Sequence, residues 1–218
     1  MPTLFRLDAS IRTDGSVTRS VADTLESTIT RESGDLAVVR RDVGRQPIAS
    51  DVWPVSALAG HVPAADRTPE QIAALQVAAA LGDELAHADV LLFAVPLYNF
   101  GVAQGFKTWY DVIVTDPRFG PGRTPLAGRP AFLVTARGGG YAPGTPREGW
   151  DHSTGWLRRV LADVWQLDLE VIEAELTLAD VTPQMASLRE AARQQVEDAH
   201  TAAARAARAV ARQLTAAA

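Results

Sequence analysis

Three short stretches of this chain combine polar side chains, aromatic faces and glycine in ways that could hold a small planar ligand bearing an anion. The first is Ser10-Ile11-Arg12-Thr13-Asp14-Gly15-Ser16-Val17-Thr18, between a strand-like run at 4–9 and a helical pattern with Val21, Leu25 and Ile29 at i, i+4 and i+8. Hydroxyls and free N–H groups at a strand-to-helix junction bind phosphate. An ordinary helix cap at Ser16 or Thr18 would use the same residues. The second is Val95-Pro96-Leu97-Tyr98-Asn99-Phe100-Gly101, directly after Val90-Leu91-Leu92-Phe93-Ala94. Tyr98 and Phe100 offer flat apolar faces, Asn99 offers amide donors and an acceptor, and Gly101 permits close backbone approach. A strand followed by a plain turn is the simpler alternative. The third is Thr135-Ala136-Arg137-Gly138-Gly139-Gly140-Tyr141, after Ala131-Phe132-Leu133-Val134. Successive glycines cost chain entropy and suggest that backbone lies against a ligand, or else a flexible turn. One loop supplies phosphate donors, one a stacking face and one backbone amides, which together suit a mononucleotide.

Several other chemistries lack their residues. The first loop has no Gly-Lys-Ser/Thr and no dinucleotide glycine spacing. No Gly-x-Ser-x-Gly elbow marks a hydrolase, and no His-Glu-x-x-His spacing marks a metal site. His61, His87 and His200 fall in a loop or on predicted helices, where solvated or structural roles are common. An enzyme built this way would leave the bond chemistry to a cofactor and supply orientation and electrostatics.

The elements that must position these loops alternate. Strands are predicted at 4–9, 36–40, 89–95, 130–135 and 168–174, and helices at 17–32, 69–87, 103–114, 153–166 and 184–214. Alternation predicts one α/β domain over 1–218: a doubly wound five-stranded parallel sheet with helices on both faces. With a mononucleotide site, the expected strand order is the flavodoxin-like 2-1-3-4-5. Each ligand loop then lies at a carboxyl strand end. Segment 44–66, with Pro47, Pro54, Gly60 and Pro63, is expected to be irregular, and 116–129 to be a second long loop. Thr68 is the expected cap of the helix opened by Pro69. The tail beyond Leu214 is expected to fray.

In these stretches the chain resembles the FMN-dependent NADH-azoreductases, a branch of the flavodoxin-like quinone reductases. The resemblance rests on Ser10 with Ser16-Val17-Thr18, on Pro96-Leu97-Tyr98-Asn99-Phe100 followed by Lys107-Thr108-Trp109-Tyr110-Asp111, and on Ala136-Arg137-Gly138-Gly139. It runs nearly the length of the chain. It implies noncovalently bound FMN, rather than FAD, held by Ser10, Ser16, Val17, Thr18, Leu97, Tyr98, Asn99, Phe100, Ala136, Arg137, Gly138 and Gly139. It further implies NADH or NADPH as hydride donor, ping-pong turnover, and a homodimer with active sites at its interface. The amides of Gly138, Gly139 and Asn99 would then stabilise the flavin ring, with Arg137 adding positive charge beside it. The acceptor would be a quinone or an azo compound. A dedicated biosynthetic enzyme acting on a specialised metabolite, or a flavodoxin-like electron carrier, are the alternatives.

Two further features bear on substrate and assembly. Lys107 and Asp111 stand at i, i+4, the spacing of a structural ion pair. Phe106, Trp109, Tyr110 and Ile113 surround them, enough apolar surface for an interface or a core, and together with Trp156 and Trp165 they favour a dimer. Where the family usually has a Gly-Phe-(Ile/Leu)-Gly-like stretch reaching the partner's flavin, this chain has Leu161-Ala162-Asp163-Val164-Trp165. Asp163 and, from the polar-aromatic run at 150–156, His152 are therefore candidate residues of a remodelled acceptor pocket. A rearranged core with a solvated Asp163 is the alternative.

Composition limits the setting. The 218 residues suffice for one sizeable core. A net charge of -5 argues against nucleic-acid partners. The chain has no cysteine, which excludes disulfides and thiol chemistry and fits a reducing compartment. The N-terminus lacks an apolar signal core, and no apolar run approaches bilayer length. The expected protein is cytoplasmic and free of the membrane.

Overall fold

The computed structural model describes residues 1–216. Its central sheet is parallel, with strands β1 (Thr3–Asp8), β2 (Ala37–Asp42), β3 (Val90–Ala94), β6 (Pro130–Ala136) and β7 (Asp168–Ala174) in the order β2-β1-β3-β6-β7. This is the expected 2-1-3-4-5 once a two-stranded hairpin, β4 (Leu97–Tyr98) and β5 (Gly101–Val102), is set aside. β3 is buried and apolar at every residue, as a central strand covered on both faces must be.

Two apolar layers flank the sheet. On one face Leu4, Leu92, Val134 and Ile172 pack under α1 (Val17–Ser33) and α6 (Arg189–Ala216). The buried side of α6 is mostly alanine (Ala199, Ala203, Ala206, Ala207), which lets that helix lie close to Val21, Leu25 and Ile29 of α1. The other face carries Phe5, Leu7, Leu91, Phe93 and Leu133 under α3 (Pro69–Ala86), α4 (Gln104–Ile113) and α5 (Thr154–Arg158). Here Phe5, Phe93, Phe106 and Trp109 form an aromatic cluster with ring centroids 5.3–6.1 Å apart. Phe106, Trp109 and Trp165 are therefore core residues of the protomer, and their presence does not by itself require a partner.

Three expectations are corrected. Segment 44–66 is not wholly irregular, because α2 (Val52–Ala59) forms within it. Pro54 sits in the first turn of α2, where its missing N–H is not needed. The helix expected at 153–166 is α-helical only over Thr154–Arg158 and continues as a wider π-helical turn over Arg159–Val164. The Trp165 N–H donates to Val160 O at 3.1 Å, and the widened turn delivers the indole into the core against Trp109, Tyr110 and Phe119. Finally, α6 runs on through Ala216 rather than ending at Leu214; residues 217–218 of the expected frayed tail lie outside the described residues. Thr68 caps α3 as expected, in a reciprocal box with Gln71.

Candidate functional site

The polypeptide leaves β1 in one direction for β2 and, after α3, in the other for β3, so the crossover reverses between β1 and β3. A cleft of about 230 Å³ opens there, at the carboxyl ends of the strands. Its floor is the β1–α1 loop: Ser10, Arg12, Gly15, Ser16, Val17 and Thr18. Ser16 caps α1 by accepting from the Arg19 N–H at 3.4 Å, and its Oγ shares a hydrogen bond with Thr18 Oγ1 at 3.3 Å. The cap reading and the anion reading therefore coincide, since a capped 17-residue helix aims its first N–H groups at the cleft. Ser10, Ser16 and Thr18 are all buried.

Arg19, in the first turn of α1, locks this loop. Its guanidinium donates to Ser10 O at 2.7 Å, to Arg12 O at 3.0 Å and to both Asp42 carboxylate oxygens at 2.7 and 2.8 Å. Burial pushes the Asp42 carboxyl up, but the hydrogen bonds from Arg19 and from the Arg45 N–H outweigh it and hold Asp42 below the usual range. Beneath the loop, Arg6 is buried on β1 and pairs with Asp8, Asp23 and Glu26 at 2.9, 2.6 and 3.0 Å, fastening α1 to the sheet. With Arg19 engaged, Arg12 is the cation that lines the cleft, and no carboxylate lines it among the described residues. That donor set fits a phosphate.

The second wall is the hairpin after β3. Leu97 and Tyr98 pair with Val102 and Gly101, so Asn99 and Phe100 form a two-residue turn with φ of 49° and 65°. Two consecutive left-handed residues are the mark of a type I′ hairpin, where the second position strongly favours glycine. A phenylalanine there costs about 1–2 kcal/mol. The turn is held from two sides. The Tyr98 hydroxyl shares a hydrogen bond with Ser10 Oγ and accepts from the Ile11 N–H, both at 3.2 Å, tying the hairpin to the phosphate loop. On the other side the His152 N–H donates to Phe100 O at 3.0 Å, and the Trp150 ring meets Phe100 edge-on at 5.5 Å.

The third wall comes from β6 and β7. Ala136 and Gly138 line the cleft, with Thr177 and Leu178 from the loop after β7. The Gly138 amide can face a ligand, but the space where its Cβ would lie is filled by Leu178, 2.6 Å away, so this glycine also admits a packed side chain. The space beside Gly139 is taken by Arg147 in the same way.

Of the residues expected to bind a cofactor, the structure thus brings Ser10, Ser16, Val17, Thr18, Leu97, Tyr98, Ala136 and Gly138 to one cleft. Asn99 lines a neighbouring, wider cleft beyond Tyr98, and Phe100 lies at the exposed turn between. Gly139 and Arg137 line neither. The Arg137 side chain turns to the α5 side of the sheet, where it meets Asp151, Glu173 and Glu175, and it presents no free charge to the cleft. His152 stands beside the turn with its side chain exposed. Asp163 lies at the far end of the helix that runs back from the loops. It is exposed and pairs with Arg159 at 2.7 Å, and this protomer does not bring it to the cleft. Lys107 and Asp111 form an ion pair at 2.5 Å, with Lys107 over the Trp156 ring. Arg12 and Pro96, from the first two stretches, also line the cleft, and Thr177 and Leu178 come from a fourth strand-end loop that none of the three stretches includes. Both follow β7 at its carboxyl end, the same signal that marks the other three loops.

The family model of the flavodoxin-like fold matches residues 2–214. The chain belongs to this family. Within the family, it is 38% identical over 196 residues to an FMN-dependent NADH:quinone oxidoreductase of Kineococcus radiotolerans, covering 87% of this chain and 90% of that one. It is 35% identical over 221 residues to one of Streptomyces coelicolor, covering 99% and 98%. The flavodoxin-like fold is also shared with an FMN-dependent NADH-azoreductase of Bacillus anthracis solved in complex with FMN. That likeness has a TM-score of 0.73 at 17% identity and covers 95% of this chain and 100% of that one.

Proposed function

We propose that this flavodoxin-like protein is an FMN-dependent oxidoreductase that takes a hydride from NADH or NADPH and reduces a quinone or azo compound in ping-pong turnover. The observation that carries this reading is the cleft between β1 and β3. It combines the N-terminus of α1, three buried hydroxyl residues and Arg12 with no carboxylate, and it abuts a strained turn pinned to it through Tyr98. The relatives named above support the same reading. When bound, FMN supplies the hydride and two-electron chemistry. The chain's part is to hold and orient it. Ser10, Ser16, Thr18 and the first N–H groups of α1 would hold the phosphate. The Tyr98-Asn99-Phe100 turn and the Gly138 amide would border the ring. His152, exposed beside the turn, would be the candidate proton donor to an acceptor.

We also read the protein as a cytoplasmic two-fold homodimer. Trp53, Leu58 and Val164 are exposed, and Trp53, Tyr110, Phe119 and Val164 line an apolar cleft of about 500 Å³. A second copy would cover that face, and Asp163, next to Val164, could meet a flavin only across such an interface. No helix among the described residues is long and apolar enough to cross a membrane. The departure at 161–165 is absorbed by packing: Trp165 is in the core and Asp163 pairs with Arg159. It therefore lends no weight to a dedicated metabolite. Anaerobic mixing of reconstituted protein with NADH and NADPH tests the reading. Rapid bleaching of bound FMN, followed by reoxidation on adding a quinone, is expected; FAD as the only bound flavin, or no bleaching with either donor, would sink it.

A further inference from the structure

Arg137 is buried and lines neither of the two clefts described above. It nevertheless faces three carboxylates: Glu173 at 2.5 Å, Asp151 at 3.2 Å and Glu175 at 3.4 Å. A lone cation shared by three acids is a poor arrangement for stability alone, because buried ions lose hydration that their pairing must offset. Its Nε and Nη2 atoms also lack well-aligned hydrogen-bond acceptors. What these acids do next is informative. Asp151 accepts from the Ser153 N–H at 2.8 Å, the Thr154 N–H at 2.9 Å and the Thr154 hydroxyl at 2.7 Å, so it fixes the start of α5 and the chain just before it. That same short segment carries His152, whose N–H holds Phe100 O, and Trp150, whose ring rests on Phe100. Glu175 accepts from the Tyr141 N–H at 2.9 Å, at the end of the glycine loop. Arg137 thus joins the two loops that border the proposed ring site.

The turn needs this support. β4 and β5 are two residues each, and so short a hairpin does not hold its own geometry in water. Its second turn residue is a phenylalanine at φ 65°, a conformation that persists only when the surroundings impose it. We propose that Arg137 is a positioning residue: acting through Asp151 and the 150–154 segment, it imposes the left-handed Asn99–Phe100 turn against which the ring is oriented. This rests on the flavin reading, but its first test does not. Amide hydrogen exchange on the FMN-free protein measures the His152 N–H directly. Arg137→Lys keeps the charge but loses the planar fork that spans several carboxylates. Asp151→Asn keeps an acceptor for α5 but loses the charge. Each should speed exchange at His152 at least 10-fold while amides in β1 and β3 keep their protection. In the FMN-loaded protein, each should slow flavin reduction by NADH about 10- to 100-fold, as loss of orientation does, with FMN affinity changed less than about 3-fold. The double variant should be no slower than the slower single variant, because both break one link. If Arg137 instead acts by its charge on the flavin, Arg137→Lys will be silent and Arg137→Met will lower the flavin midpoint potential, which overturns the proposal. Unchanged His152 exchange in both variants overturns it as well. Failure of the unsubstituted protein to bind FMN would count against the flavin reading and leave the exchange result standing on its own.

Discussion

Gly44 sets how closely the chain after β2 can approach the phosphate loop, and Gly44→Ala should damage both fold and cofactor site. A Cβ at this position would lie 2.1 Å from Ser10 O, 2.6 Å from Ser10 C and 3.1 Å from Ala9 C. These are backbone atoms, so no side-chain rotation relieves the clash. Contacts between carbon atoms are favourable at about 3.5–4.0 Å, so the two segments would have to separate by roughly 1 Å or more. The contacts that must stretch are the Val43 and Gly44 N–H bonds to Asp8 O, at 3.0 and 3.2 Å. Overpacking costs about 1–3 kcal/mol, and weakening two backbone hydrogen bonds adds about 0.5–1.5 kcal/mol each. A loss of about 2–6 kcal/mol follows, or a fall in Tm of about 4–24 °C for a domain of this size. The displaced atom belongs to Ser10, so FMN affinity should fall about 10-fold or more. Thermal melts of the FMN-free protein, with fluorescence titration of FMN, measure both effects. A variant with the parental Tm and the parental FMN affinity would show that the 43–44 segment yields freely, and that the close approach is no constraint on the loop.

Other outcomes follow from the same geometry. Ser10→Ala removes a hydroxyl held by Tyr98 and facing the cleft, and should weaken FMN about 10- to 100-fold, while riboflavin, which lacks the phosphate, should bind nearly as before; equal loss for both flavins would move Ser10 away from the phosphate. Lys107→Met breaks a partly exposed ion pair, so it should cost no more than about 1 kcal/mol and leave flavin reduction by NADH unchanged; a large rate loss in stopped flow would make the pair functional. The Asp42 carboxyl is held below its ordinary value, so its contribution to stability is present above about pH 4 and is lost as pH falls through the lower folded value. Asp8 has the opposite sign: burial pushes it up against the pull of Arg6 and Arg19, so its contribution is lost as pH rises through its folded value. Urea midpoints between pH 6 and pH 3 should therefore fall less steeply for Asp42→Asn than for the parent, and an unchanged slope would remove Arg19–Asp42 from the acid sensitivity.

What the sequence revealed and what it hid divide along a physical line. Strand order and the position of the cleft depend on local pattern: apolar runs such as 90–94, and helices opened by Ser16 and Thr68, are visible one segment at a time. Once the strands are ordered, the strand-end rule gathers Ser10, Tyr98 and Gly138 without further information. The parts that local pattern does not disclose depend on contacts between segments far apart in the chain. Arg137 follows a strand beside three glycines and looks like a ligand-facing cation. Side chains alternate along β6, however, and Ala136 and Gly138 take the cleft side while Arg137 goes to the opposite face, toward acids contributed by β7 and the 150–154 segment. The alternation could have been read from the sequence; the acids 14 to 38 residues away could not. Gly138 and Gly139 suggested a space left for a ligand, yet Leu178 and Arg147 fill it. Gly44, in a segment expected to be irregular, is the glycine whose backbone does press on a ligand loop. Trp165 stands where the family pattern has glycine, and a widened helical turn carries it into the aromatic core. In each case the residue type was informative and its direction was not, because direction is set by the partner segment. The residues whose direction was legible, Ser16 above all, are those whose partner is the adjacent turn of their own helix.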